Sequence, residues 1–408
     1  MNDWLRGSPH DVALAFGGGA VSYRELARAV DDARLPAGNG PVGCPADTDP
    51  VDLVVTVLAA LHRGRPVLVG GSQRDADRIA GRLPTGTELA LLTSGSSGAA
   101  AAPRVVARTS ASWVASAEPL AALAGLAATD RIAVTGPLHV SMHLYAVLHA
   151  LWLGATAGDA LDDASVMHAT PTRLARVLDG GTCPPAAIVA GAALSPSLRA
   201  RADARGIRLT EYYGAAELSF VLAGRAGELT AFPGVEVELR HGTTGAELWA
   251  RSPYLALGVV GGGMLRRDEP GFATVGDLAE RTAAGTIRVL GRGDAAITTA
   301  GATVLAEQVE ARLATLAGVE AVAVIGEPHE LLGERVVAVV ELADGFALEQ
   351  VVSAARSSLS PVELPRRWFA APVPRTTSGK VARGAVRDAI AAGDLGGPFP
   401  AAYEGSGS

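Results

Sequence analysis

Apolar positions along the chain follow two rhythms that alternate. Val51–Leu61 carries apolar residues at helical spacing and leads into Pro66–Val69, a short apolar run that predicts a buried strand. Leu89–Thr93 predicts a second strand, ending in a Gly/Ser loop, and Ile132–Thr135 and Ala187–Ala190 predict two more. Helices interleaved with buried strands imply α/β layers around a largely parallel sheet. Val235–Arg251 breaks the rhythm, because VEVELR and AELWARS alternate with period two and predict a small β subdomain. From Gly291 the pattern restarts with a GRGD turn, a strand at Ala296–Thr299 and a helix at Ala306–Leu316. Strands at Ala321–Ile325 and Val336–Leu342 follow, then a helix at Leu348–Leu359, a proline-rich stretch and a helix at Val381–Ala391. The expected fold class is α/β. A large N-terminal domain (1–293) would hold mostly parallel sheets, helices and the small β subdomain, and a small α+β C-terminal domain (294–408) would follow.

Composition narrows the function. Nearly half of the 408 residues are apolar, enough for a large core. The net charge is −7 and no Lys/Arg-rich run stands out, which argues against nucleic acid as a partner. The opening MNDWLRGSPHDVA lacks an apolar core of signal-peptide length, and Leu53–Leu61 is too short to span a bilayer. The two cysteines, Cys44 and Cys183, form neither a CxxC pair nor a zinc spacing. A cytoplasmic enzyme without a membrane partner is expected.

Of the 35 Lys and Arg residues, one is a lysine, Lys380. It closes Pro374-Arg375-Thr376-Thr377-Ser378-Gly379-Lys380, a proline-entered, hydroxyl-rich turn. A compact ammonium on a flexible stem can reach a neighbouring cleft and touch two anionic oxygens, which arginine's planar fork does less well. The alternative is a solvated surface lysine. Thr93-Ser94-Gly95-Ser96-Ser97-Gly98 follows a predicted strand. Its glycines allow backbone N–H groups to converge on an anion, although GxxxxGK[ST] is absent.

TSGSSG, with Pro103-Arg104-Val105 beyond it, resembles the phosphate loop of the adenylate-forming superfamily, which holds acyl- and aryl-CoA synthetases, adenylation domains and luciferases. Further segments resemble that family's motifs in its order: Tyr213-Gly214-Ala215-Ala216-Glu217, Gly271–Asp277, Gly291-Arg292-Gly293-Asp294 with Gly301 beyond, and the Lys380 segment. Val21–Leu26 and Leu58–Gly64 look like weaker N-terminal signatures, so the resemblance runs from about residue 20 to 390.

The resemblance implies ATP, Mg²⁺ and, as co-substrate, CoA. Thr93–Gly98 would wrap the β- and γ-phosphates. Glu217 would hold Mg²⁺, its alternative being a glutamate in the first turn of a helix. Asp277 would accept the ribose hydroxyls, Arg292 would contact ribose or phosphate, and Tyr213 would stack on adenine. Gly191-Ala192-Ala193 would lie beside the nucleotide and acyl group, as would Ala215. Lys380 would bridge the substrate carboxylate and the α-phosphate. Rotation of a mobile C-terminal domain at Asp294 would then withdraw Lys380 and bring Gly301 round to line a thiol path.

Several positions depart from the family pattern. Ala216 stands where a threonine is usual, Val275 likewise, Ala99–Ala102 lengthens the phosphate loop, and Arg104 replaces a lysine. Pro137–His143 resembles the segment that opens the acyl pocket, with His139 and Val140 where an aromatic–His pair is usual. Val140 cannot serve an α-amine, which disfavours amino-acid substrates. His139 and His143 are spaced to share one helix face, as pocket lining or as core. The expected activity is ATP-dependent activation of a carboxylic acid with transfer to CoA. A stand-alone enzyme of secondary metabolism passing the acid to a carrier protein or amine, an activator of a small oxyacid such as nitrite, and a nucleotide-binding regulator without turnover are the alternatives.

Overall fold

The computed structural model describes residues 4–93, 104–242, 245–262, 265–292, 296–299, 302–329, 331–376, 381–395 and 399–400. Among the described residues the strands form four sheets. In the nine-stranded sheet, the strands Arg131–Val134, Thr156–Gly158, Val166–Ala169, Ala186–Val189 and Arg208–Ala215 run parallel to their neighbours in that group. Ser219–Arg225 and Glu228–Ala231 then add antiparallel strands at one edge. The five-stranded sheet joins Val42–Pro45, Val67–Gly70 and Leu89–Thr93 in parallel, and Arg104–Arg108 and Gly258–Val260 complete it antiparallel.

Local chemistry starts and stops these elements where packing needs them. The helix Pro50–His62 begins at Asp49, whose carboxylate accepts from the Val51 N–H at 2.9 Å, with proline in the first turn. Its Leu53, Val54, Val57 and Leu58 are buried in the main core. The helix Ser141–Leu153 is buried on every side between His143 and Leu151, as an element packed within the core must be.

The period-two stretch forms a hairpin, Glu236–Gly242 against Gly245–Arg251, within a six-stranded sheet. A further hairpin pairs Val319–His329 with Gly333–Leu342, both longer than the apolar runs predicted. Charged cross-strand partners extend it: Arg335 bonds Glu327, its register partner, beyond the last apolar pair. Helices Ala306–Leu313 and Leu348–Ser358 cover one face of this sheet, and Arg383–Ala392 covers the other. Neither of these two apolar clusters includes a residue before Ile297. The expected GRGD turn is different at its start, because Gly291 and Arg292 complete the strand Ile287–Arg292 and pair with Asp277–Arg281. Gly293 and Asp294 lie outside the described residues. Among the described residues no helix is long and apolar enough to cross a membrane.

Trp368 anchors the C-terminal cluster: it is fully buried, and its indole N–H donates to the Pro365 carbonyl at 2.8 Å. Trp368→Ala is expected to cost about 3–5 kcal/mol. Hydrogen exchange of the 319–329 and 333–342 strands should accelerate accordingly, while that of the 131–134 strand stays unchanged.

Candidate active site

Parallel strands leave their last backbone groups and side chains at one edge, where a ligand can approach. Some of the expected site residues follow the ends of these strands. Gly191 to Ala193 follow Ala186–Val189, and Gly191 takes φ of 93°, which glycine adopts without strain. The neighbouring strand, in register through Val189 and Glu211, ends in Tyr213, Gly214 and Ala215. The chain then doubles back through Ala216-Glu217-Leu218 into Ser219–Arg225. Gly214 is required here: a Cβ would stand 2.0 Å from the Ser219 carbonyl oxygen. Glu217, 7 % exposed, therefore occupies a hairpin turn, and the helix first-turn alternative for it is overturned.

Asp277 comes from a different sheet. It starts the strand Asp277–Arg281, is buried, and sits in register opposite Arg292. The Tyr213 hydroxyl donates to the Asp277 carboxylate, so two motifs 64 residues apart meet through one hydrogen bond. The Arg292 backbone is part of this edge; its side chain lies outside what is described. One carboxylate in a closed turn is too few ligands to cage a metal alone. Among the described residues no group of three or more His, Cys, Asp and Glu is placed to do so. A single buried carboxylate can add one ligand to a hard cation whose other ligands come from elsewhere.

The strands flanking the Gly/Ser loop pair antiparallel at Thr93 and Arg104, and the Thr93 hydroxyl donates to the Arg104 carbonyl at 3.3 Å. Ser94, Gly95, Ser96, Ser97 and Gly98 lie outside the described residues. Sequence reasoning missed Arg108 at the end of the second strand. Its guanidinium is fully buried and donates to the Ala216 carbonyl at 2.8 Å and the Ser219 hydroxyl at 2.9 Å. Burial pulls it down to about 9, and the Glu217 carboxylate opposes that shift. The signal was an arginine inside an otherwise buried strand, RVVAR.

The acid-pocket segment is corrected. The helix starts at Ser141 after Val140, so His139 lies before it and shares no helix face with His143. The His139 Nδ1 faces the Ala46 carbonyl at 3.2 Å, whereas His143 is buried beside Gly136. His168 was also missed. It alternates with Val166 on the strand face that packs into the main core, and neither ring nitrogen has a partner. Burial pushes His143 and His149 down to about 4 and His168 to about 3.

The C-terminal unit reaches this edge. The Arg375 guanidinium donates to the Thr172 hydroxyl at 3.2 Å, one residue into the helix Pro171–Gly180. Arg375 bridges Val381, and the Ala382 N–H donates to the Pro374 carbonyl at 2.8 Å. Lys380 itself lies outside the described residues, as do Asp294 and Gly301.

Residues 308–380 match the AMP-binding enzyme C-terminal domain family. The chain is 29 % identical over 337 residues to an uncharacterized acyl-CoA ligase of Bacillus subtilis, covering 72 % of this chain and 67 % of that one. Matches to the next curated relatives span a fifth of their length. The fold is similar to that of o-succinylbenzoate CoA synthetase from Bacillus subtilis in complex with its acyl-adenylate intermediate. The TM-score is 0.80 at 17 % identity, over 95 % of this chain and 98 % of that one. It is also similar to an amide bond synthetase from Marinactinospora thermotolerans, with a TM-score of 0.76 at 21 % identity over 93 % and 97 % of the chains.

The buried histidines set an acid limit. Each stays neutral in the fold while the unfolded chain takes up protons below its ordinary value of about 6.5. Stability is therefore full above pH ~6.5 and is lost as pH falls, by ~2 kcal/mol per histidine at pH 5. Urea unfolding at pH 7 and pH 5 measures this, and His168→Phe should lose ~2 kcal/mol less over that interval than the wild type.

Proposed function

We propose that the chain is an adenylate-forming enzyme, as the AMP-binding C-terminal match and its acyl-CoA ligase relative support, and that it activates a carboxylic acid with ATP and hands the acyl group to CoA. The observation that carries the nucleotide half is the meeting of Tyr213, Asp277 and the Glu217 turn at the carboxyl edge of the parallel strands. In this reading, Asp277 accepts the ribose hydroxyls while the Tyr213 hydroxyl fixes its orientation. The Gly191–Ala193 backbone lies along the nucleotide. Glu217 would hold Mg²⁺, which would supply positive charge against that of the phosphates.

A carboxylate oxygen of the acid attacks the α-phosphorus, and the bond to the pyrophosphate oxygen breaks. Lys380 offsets charge building on the α-phosphate and holds the attacking carboxylate in line. In the second step the CoA sulfur attacks the acyl carbon, the bond to AMP breaks, and the thiol proton passes to solvent. The acid lies near the Pro137–His143 segment. The Arg173 guanidinium acts on His143 from nearby, and a cation there suits an acid without an α-amine.

Pyrophosphate release on a panel of aryl, short-chain and fatty acids tests the reading, with nitrite included. Release with at least one acid is expected, and retained ATP binding without release for any of them sinks it. CoA, an aromatic amine and a carrier protein offered in turn identify the acceptor. Asp277→Asn should lower kcat/KM for ATP roughly 10- to 100-fold, the scale of a lost charge-assisted hydrogen bond. Lys380→Ala should abolish adenylate formation yet leave thiol capture of preformed acyl-AMP intact; near-normal adenylation by that variant refutes the role given to Lys380.

A further inference from the structure

Arg108 is a charged side chain with no exposure, at the end of the strand Arg104–Arg108. Burial of a guanidinium is costly unless its donors are used. Two nitrogens are used, and both act on the turn that carries Glu217. Nη2 donates to the Ala216 carbonyl at 2.8 Å, one residue before Glu217, and Nη1 to the Ser219 hydroxyl at 2.9 Å, two residues after it. Nη1 also reaches the Ser112 hydroxyl at 3.4 Å, and the guanidinium lies 5.1 Å from the centre of the Trp113 ring. Nε is buried with no partner.

The turn needs such a clamp. Ser219 is a non-glycine residue at φ of 59°, a conformation that persists only where the surroundings impose it. Within the hairpin the Leu218 N–H donates to the Ala215 carbonyl at 3.1 Å; from outside it the Ala256 N–H donates to the Glu217 carbonyl at 2.9 Å, and Leu257 continues onto the Ala107 carbonyl at 2.7 Å. The side-chain clamp adds the grip on either side of Glu217.

We propose that Arg108 is a positioning residue that fixes the Glu217 turn to the Arg104–Arg108 strand and thereby sets how tightly the site takes Mg²⁺ with ATP. This rests on Glu217 holding the metal, as read above. A point charge and a two-pronged clamp act in opposite directions here. Charge alone would repel Mg²⁺, so removing it would tighten binding. The clamp would orient the carboxylate, so removing it would weaken binding. The clamp dominates because both donors end on the turn itself rather than on the carboxylate.

Arg108→Met and Arg108→Lys separate the two, since lysine keeps the charge but cannot span both acceptors. Both variants are expected to raise the Mg²⁺ concentration for half-maximal pyrophosphate release at least ~10-fold, the scale of lost outer-shell support. kcat at saturating Mg²⁺ should change far less. Independently of turnover, the extra thermal stabilisation that Mg²⁺ adds to ATP should fall below half the wild-type increment in both. An unchanged Mg²⁺ requirement and increment, even with a lower Tm, overturns the proposal, as does tighter Mg²⁺ binding in Arg108→Met. Ser219→Ala removes one acceptor only and should shift both readouts in the same direction if the arginine variants do not fold; no shift in it overturns the proposal. A wild type that releases no pyrophosphate but keeps the Mg²⁺ increment counts against the activation reading and leaves the thermal comparison to decide this one. A wild type without any Mg²⁺ increment overturns the role of Arg108.

Discussion

The Tyr213 hydroxyl on the Asp277 carboxylate is the bond on which the site depends. Tyr213 ends a parallel strand of the nine-stranded sheet, and Asp277 begins a strand of a separate antiparallel sheet. The two sheets share one apolar core, and the candidate site lies where they meet. The strand ladder places the Arg292 backbone opposite Asp277 at the end of the last strand before the C-terminal unit. A side-chain hydrogen bond and a strand register thus bring backbone positions from three motifs together.

Buried polar groups are few against the apolar layers. Glu217, Asp277, Arg108 and His143 are buried in or beside the segments that hold the expected site residues, and His149, Ser116 and Glu211 are buried as well. Fold stability comes from the apolar layers, and the polar residues reduce it in exchange for preorganised chemistry, the trade-off expected of an enzyme site.

How much of this was legible varies with the range of the interaction that decides it. Leu89–Thr93 was placed to the residue, because a buried strand is written in its own apolar run. The helix at 50–62 was placed to within a residue at either end, since Asp49 and Pro50 mark its start locally. The hairpin 319–342 was drawn too short, because the charged pair Glu327–Arg335 and the pairs Pro328–Glu334 and His329–Gly333 continue it past the apolar run. Tyr213, Asp277 and Glu217 could be singled out from motif resemblance, but not the hydrogen bond between the first two, which spans two sheets. Arg108 and His168 were invisible: their partners or neighbours lie on other elements, 108 and 111 residues away for the two Arg108 bonds. A sequence shows that such a residue is odd; the fold alone shows what it holds.

The Arg375–Thr172 contact has a consequence for populations. It ties the segment ahead of the helix Arg383–Ala392 to the start of the helix Pro171–Gly180 by an exposed hydrogen bond worth about 1 kcal/mol. A contribution of that size changes the population of the contact by roughly tenfold or less, so a ligand that favours or disfavours the contact needs only modest differential affinity to make or break it.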